Sequence, residues 1–210
     1  MDDDYSTLDL TALCNVDSAA IPATREPALG RQQFHGLPFA IGSTDGEGRS
    51  FLVLGGADGE PRRLPVGRTA RHLIFVHRLL ESELLGGGPM GTLVAEYVIQ
   101  YADGGEARLP IRERLEIAVV PSQWGQWPLL ALPDHSDTLL PRYQGQWSHA
   151  GARQTEAVNG NARDYYLWPW TNPRPDCEIA AIEILPSGPR FLLAAITLGL
   201  VDEDPFTREG

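Results

Sequence analysis

The chain is short of three features, and each shortage argues against a class of protein. It has only two cysteines in 210 residues, too few for a disulfide framework or a cysteine-based metal cluster. Acidic residues outnumber basic ones, and the net charge of −11 argues against partners that need a basic surface, namely nucleic acids and anionic membranes. No apolar run approaches about 18 residues, the length that a transmembrane helix requires.

The two cysteines and the N-terminus bear on the compartment. Cys14 and Cys177 lie near the first and the penultimate predicted strands, so a bridge and two free thiols are both compatible with the sequence. The first residues, Met1-Asp-Asp-Asp, lack the basic and apolar regions of a signal peptide. This predicts a cytoplasmic chain with free thiols, although a domain excised from a secreted protein would look the same.

Glycine and proline are abundant, with 22 and 17 copies, and they stand as turn residues between short apolar runs. This punctuation is typical of an all-β protein. A chain of this length fits one large sandwich. We therefore predict a single β-sandwich domain over residues 1–210, with polar tails at 1–7 and 201–210.

The last third contains the strongest strand signals. Residues 165–170 and 179–184 are β-prone runs, and the prolines at 172–175 must separate them because proline cannot donate to a ladder. Residues 191–198 are apolar enough to be buried on both faces. Within this region Trp168 and Trp170 share one strand face, which favours burial in the core.

The earlier part of the chain is less uniform. Residues 71–80 form an apolar run that we interpret as a central strand, and residues 91–112 predict a hairpin around Asp103-Gly104-Gly105. Residues 8–14 suit an edge strand, residues 34–41 a broken strand with a bulge, and residues 15–30 a long loop. Residues 113–163 predict a long irregular insertion with one short strand at 129–132.

Several motifs resemble a β-sandwich module found in bacterial glycoside hydrolases. They are Phe34-x-Gly-Leu-Pro-Phe, Leu-Pro-Val-Gly-Arg68 followed by His77, Ala95-Glu-Tyr-Val-Ile-Gln-Tyr-Ala-Asp-Gly104, Trp170-x-Asn-Pro-x-Pro with Ile179 and Ile182, and Ala195-Ile-Thr197. The resemblance implies two antiparallel sheets of the galactose-binding-like, jelly-roll type. It also implies a carbohydrate-binding or accessory role without catalysis, and sandwich modules of this kind often hold a structural calcium ion. The motif residues are mostly apolar, Gly or Pro, so they bear on fold more than on ligand.

The irregular insertion supplies the predicted ligand surface. Sugar binding uses flat aromatic faces, which cost little entropy to present, together with short polar side chains for the hydroxyls. The alternative is that these rings pack the insertion onto the sheet. The predicted binding residues are Trp124, Trp127, Tyr143, Trp147, Gln126, Gln146 and His149.

Other chemistries receive less support from the sequence. The acid pairs Glu113 and Glu116, and Asp134 and Asp137, are expected to be solvated loop charges. His72 and His77 should face opposite sides of a strand, whereas His135 and His149, with the nearby aspartates, define an alternative metal site. No Gly-x-Ser-x-Gly nucleophile elbow is present. The alternative function is an interaction domain that pairs with itself or docks onto a catalytic domain through exposed Trp residues.

Overall fold

The computed structural model describes residues 4–21, 27–42, 49–56, 59–121, 128–135 and 162–206. Within these ranges the chain is all-β, and its only helical elements are three short 3₁₀ turns at Thr11–Leu13, Ser18–Ala20 and Leu84–Gly86. No helix in the described part is long and apolar enough to cross a membrane. The strands are β1 (Tyr5–Thr7), β2 (Gly30–Phe34), β3 (Leu37–Ile41), β4 (Leu52–Leu54), β5 (Arg62–Arg68), β6 (His72–Leu79), β7 (Leu93–Tyr101), β8 (Glu106–Arg112), β9 (Leu132–Pro133), β10 (Tyr166–Thr171), β11 (Ile179–Pro186) and β12 (Phe191–Gly199).

Two antiparallel sheets face each other in a jelly-roll sandwich. One has the order β1-β12-β6-β10-β9, with β4 also paired to β12, and the other has the order β5-β11-β7-β8. From β4 onward, leaving the short edge strand β9 aside, each connection passes to the opposite sheet except the β7–β8 hairpin. This alternation produces the two Greek keys of a jelly roll, so the fold predicted from the sequence is confirmed.

The six-stranded sheet is buried on both faces. One face of β6 and β12 packs against the four-stranded sheet through residues such as Phe75 and Ile196, and the other carries Ile74, Val76 and Leu192 into a second cluster. Every residue of β6 and β12 is buried. Continuous apolar runs, rather than alternating ones, are the pattern that two-sided burial requires, which confirms both central-strand predictions.

The second cluster is covered by the β2–β3 hairpin. Phe34, Leu37, Phe39 and Ile41 point from this hairpin onto the six-stranded sheet. The prediction of one broken strand with a bulge is wrong here, because His35 and Gly36 take positive φ values of 49° and 74° and reverse the chain. A two-residue turn with positive φ at both positions is the geometry that closes a tight hairpin.

Three predictions near the ends of the chain need correction. The predicted edge strand at 8–14 is wrong, since the strand is Tyr5–Thr7 and residues 11–13 form a 3₁₀ turn. Residues 5–7 therefore belong to the sheet rather than to a polar tail. Near the other end Phe206, also assigned to a tail, is buried in the second cluster.

The β7–β8 hairpin and the break after β10 lie where the sequence places them. β10 ends at Thr171 before the prolines, and β11 begins at Ile179. Trp168 is buried beside Phe75, with ring centroids 5.7 Å apart, and Trp170 packs at the edge of the same cluster. In the described part of the irregular insertion the short strand is Leu132–Pro133, displaced from the predicted 129–132.

Candidate binding cleft

The predicted aromatic surface falls outside the described residues. That holds for the whole set, Trp124, Trp127, Tyr143, Trp147, Gln126, Gln146 and His149. It also holds for Asp137, a member of the alternative acid pair and metal site. The candidate site is therefore built from the residues whose positions the structure gives.

A cleft of about 490 Å³ opens at one end of the sandwich. Its walls are the β5–β6 connection, residues 67–71, and the β10–β11 connection, represented by Pro175, Asp176 and Glu178. Leu200 also lines the cleft. The volume lies within the range of about 300–1,000 Å³ that is usual for small-molecule sites. The lining is more polar than apolar, so a ligand would be held chiefly by hydrogen bonds and charge.

Asn172 joins the two walls of the cleft. Its side-chain amide donates to the carbonyl of Ala70 at 2.7 Å and to that of Arg174 at 3.1 Å. Its side-chain oxygen accepts from the Tyr101 hydroxyl at 2.6 Å and from the Arg174 N–H at 2.9 Å. The backbone N–H of Asn172 also donates to the carbonyl of Arg71 at 2.8 Å. A buried amide with all these partners fixes the spacing of the two connections.

A surface ion pair supports the β10–β11 wall from outside. The guanidinium of Arg174 donates to the Asp103 carboxylate and lies 4.6 Å from the centre of the Tyr101 ring. The hydrogen bonds from Arg174 lower the pKa of Asp103. Burial raises the pKa of Tyr101, against the opposing effect of Arg174. The turn of the β7–β8 hairpin is thereby connected to the same wall.

The two walls of the cleft carry opposite charges. Arg68 and Arg71 stand on the β5–β6 side, and Asp176 and Glu178 stand on the β10–β11 side. Arg71 lies 3.8 Å from Asp202, and Arg68 donates to the hydroxyl of Ser6. Both partners lie outside the cleft lining, so Arg71 is shared with a carboxylate beside the cleft. Arg68, Asp176 and Glu178 are exposed.

A second polar cluster lies beneath the β2–β3 turn. The Asp134 carboxylate accepts backbone N–H groups from Arg163, Asp164 and Tyr165 at 2.5, 2.7 and 3.1 Å. Burial raises its pKa to about 6, while these donors act in the opposite direction. His35 stacks on His135, with ring centroids 5.9 Å apart. Because both carboxylate oxygens are taken by backbone donors, this cluster joins residues 134–135 to residues 163–165.

The expectation that the loop acids are solvated is wrong for three of the four. Glu113, Glu116 and Asp134 are each at most 3% exposed. Glu116 accepts from the backbone and guanidinium of Arg112, and Glu113 accepts from the Ser82 hydroxyl. Burial raises the pKa of Glu113. Each carboxylate is buried because a specific donor compensates for its lost hydration.

His77 lies in the inner core and is hydrogen-bonded through both ring nitrogens. Nδ1 is 3.0 Å from the Tyr97 hydroxyl, and Nε2 is 2.8 Å from the carbonyl of Glu116. His72 instead contacts Thr171 across the β6–β10 pair. In the described part of the chain, no group of three or more His, Cys, Asp and Glu is arranged to hold a metal ion. Cys14 and Cys177 are unpaired thiols, as predicted.

The exposed faces of the described residues differ from an aromatic platform. The outer face of the four-stranded sheet is charged, with Arg108 paired to Glu96 and Glu106. The large apolar side chains that are exposed in the described ranges are all aliphatic. They are Leu85, Met90, Leu93, Leu129 and Leu130.

Comparison with known proteins returns no relative, because no protein-family model, curated protein or solved structure matches the chain. The sequence alone does not point to the cleft. Its charges come from residues 68–71 and 176–178, which are about a hundred positions apart. The one available signal was the polar Asn172 between Thr171 and Pro173, where a side chain that accepts and donates several hydrogen bonds follows directly on a strand.

Proposed function

We propose that this chain is a non-catalytic carbohydrate-binding or accessory domain of a carbohydrate-active enzyme, and that the cleft at the Asn172 end takes the saccharide. The observation that carries the proposal is the cleft itself, a polar opening between two connections that a buried amide holds together. A rigid site of this kind reduces the ordering cost of binding.

The side chains at the cleft suit the hydroxyl groups of a sugar. Guanidinium and carboxylate groups are planar and present two donors or two acceptors side by side, which matches a pair of neighbouring hydroxyls. Thr69 adds a hydroxyl that can donate or accept. Pro175 and Leu200 supply small apolar surfaces for the C–H face of the ring.

The aromatic segment at 121–149 is the second part of this proposal. Trp124, Trp127, Tyr143 and Trp147 would add stacking faces for a longer glycan, with Gln126, Gln146 and His149 bonding its hydroxyls. This contribution can be tested separately from that of the cleft, because the two sets of residues can be changed independently.

A binding role without catalysis is supported by the partners of the buried acids. A glycosidase needs two carboxyl groups that flank the scissile bond, whereas the two carboxylates at the cleft, Asp176 and Glu178, stand on the same wall. Glu113, Glu116 and Asp134 are instead hydrogen-bonded to Ser82, Arg112 and three backbone amides, respectively, inside the protein and away from the cleft lining.

Affinity electrophoresis in gels that contain soluble polysaccharides, followed by calorimetry with the hits, tests the proposal. Thr69→Trp fills the cleft with a bulky ring and should abolish retardation, whereas Thr11→Trp, at an exposed position outside the cleft lining, should not. Trp124→Ala and Trp147→Ala should weaken binding to long glycans. Failure of the wild type to bind any polysaccharide, or release of reducing sugar, would contradict the proposal.

A second candidate function, an interaction domain, is favoured by the exposed aliphatic residues. Leu85, Met90 and Leu93 belong to the β6–β7 region, which pairs with residues 112–113, while Leu129 and Leu130 bond to residues 114–115. Leu93, Leu129 and Leu130 thus lie beside one segment, residues 112–115, and neighbouring exposed apolar side chains are typical of contact surfaces. Light scattering should then report a dimer for the wild type and a monomer for Leu129→Asp with Leu130→Asp. A wild-type monomer at high concentration would contradict this alternative.

A further inference from the structure

The charges at the cleft are divided by wall. The β5–β6 connection contributes two cations, Arg68 and Arg71, and the β10–β11 connection contributes two anions, Asp176 and Glu178. Among the described residues, neither of these carboxylates has a cationic group within ion-pair distance. The opposite charges therefore face the cleft without neutralising each other across it.

The opposite charges of the two walls limit which charged groups a ligand should carry. The chain contains no lysine, so the cations of the cleft are guanidinium groups, which bind carboxylates through two parallel hydrogen bonds. The facing carboxylates are matched to an ammonium group. A neutral sugar would offer hydroxyl hydrogen bonds to these four charged groups but no opposite charge, so it should bind more weakly than a ligand that carries one.

Ligands that carry a single charge suit the cleft less well. An anionic ligand would approach a chain of net charge −11 and meet the carboxylates of the second wall. A cationic ligand would be attracted by the net charge but would lie against two guanidinium groups. Only a ligand with both charges satisfies both walls at once.

Building on the proposed carbohydrate-binding function, we propose that the cleft binds a zwitterionic saccharide segment, with a carboxylate on the Arg68 and Arg71 wall and an ammonium group on the Asp176 and Glu178 wall. The chemical class is a glycan in which a uronic acid neighbours an amino sugar with a free amine.

Calorimetry with four matched disaccharides tests this assignment. The first is glucuronosyl-glucosamine with a free amine; the second is its N-acetyl form, which keeps only the carboxylate. The third is its carboxyl-reduced form, which keeps only the amine, and the fourth is N-acetylated and carboxyl-reduced and therefore neutral. We expect the zwitterion to bind at least about tenfold more tightly than each of the other three, since it alone forms charge-assisted hydrogen bonds with both walls.

Substitutions on the two walls should act on different ligands. Arg71→Gln should weaken binding of the zwitterion and of the N-acetyl form about tenfold and leave the amine-only form unchanged. Glu178→Gln should do the reverse. Arg108→Gln, which alters an exposed ion pair on the outer sheet face, is the matched control and should change no affinity.

The outcomes separate this inference from the proposed function. Equal affinity for the neutral and the zwitterionic disaccharide would overturn the charge assignment and leave carbohydrate binding standing. No binding by any disaccharide or polysaccharide would overturn both. Diglycine carries the same two charges without a sugar ring, so diglycine binding as tight as that of the zwitterionic disaccharide would overturn the assignment to a saccharide.

Discussion

The tautomer of the neutral His77 ring is fixed by its two hydrogen bonds. The Glu116 carbonyl can only accept, so Nε2 must carry the proton and Nδ1 accepts from the Tyr97 hydroxyl. Burial lowers the pKa of His77 from 6.5 to about 4. Between these values the unfolded chain binds a proton that the folded chain excludes, so stability falls as the pH falls.

We expect the His77→Gln variant to lack this fall in stability at low pH. The difference in pKa corresponds to about 3 kcal/mol of unfolding free energy between pH 6.5 and 4. Urea unfolding at several pH values should show the loss in the wild type relative to the variant. A His77 imidazole that titrates near pH 6.5 in the NMR spectrum of the folded chain would contradict the assignment.

Asp134 should respond to pH with the opposite sign. Its pKa is raised from 3.8 to about 6 in the folded protein, so its contribution to stability is fully present below about pH 4 and is lost as the pH rises through 6. We expect Asp134→Asn to remove this loss, which also amounts to about 3 kcal/mol. Relative to the wild type, the Asn variant should therefore gain stability with rising pH, and His77→Gln should lose it.

Measuring how stability depends on pH in both variants is a sharper test than measuring either one alone, because the two effects oppose each other in the wild type. A third variant, Asp134→Ala, leaves three backbone N–H groups without their acceptor and should be about 3 kcal/mol less stable than the Asn variant at every pH, since neither side chain titrates. Parallel pH profiles for the wild type, the Gln variant and the Asn variant would contradict both assignments.

The β7–β8 hairpin is the element whose turn depends most clearly on a glycine. Gly104 has a φ of +87°, and a Cβ placed there would meet no atom within 4 Å. We expect Gly104→Ala to destabilise the chain by about 1–2 kcal/mol, purely through the unfavourable backbone conformation. Gly86→Ala is the matched control, because Gly86 is equally open but its φ does not lie in the left-handed region. Equal unfolding midpoints for the two variants would contradict this account.

Elements with a strong local pattern were predictable from the sequence. β6 and β12 carry apolar runs suited to two-sided burial, and Asp103-Gly104-Gly105 allows only a tight turn. The hairpin at 30–41 was missed because His35, a non-glycine residue, takes a positive φ. The strand at Tyr5–Thr7 was missed because its pairing with β12 joins residues nearly two hundred positions apart.

The candidate site was less predictable than the fold. Its two walls come together only because β5 and β10 belong to different sheets of the sandwich and end on the same side. Asn172 connects them through backbone carbonyls of Ala70 and Arg174. Because every residue has a backbone carbonyl, the sequence does not show which residues accept these hydrogen bonds. The opposite charges of the two walls can therefore be recognised only once the positions of the strands are known.

At the scale of the whole molecule, the fold has three layers. The four-stranded sheet and the inner face of the six-stranded sheet enclose the main core, and the β2–β3 hairpin covers the opposite face. The buried faces of both sheets therefore pack against other layers. The described outer face of the four-stranded sheet carries paired charges rather than aromatic rings. Ligand contact is left to the connections at the ends of the sandwich.

The most direct test of saccharide binding at the Asn172 end is an NMR titration of the ¹⁵N-labelled chain with the zwitterionic disaccharide. We expect saturable shifts of the backbone amides at residues 67–71 and 176–178, with Val98 and Arg108 on the outer sheet face unchanged. Shifts confined to residues outside the cleft, or no shifts at millimolar ligand, would contradict the account.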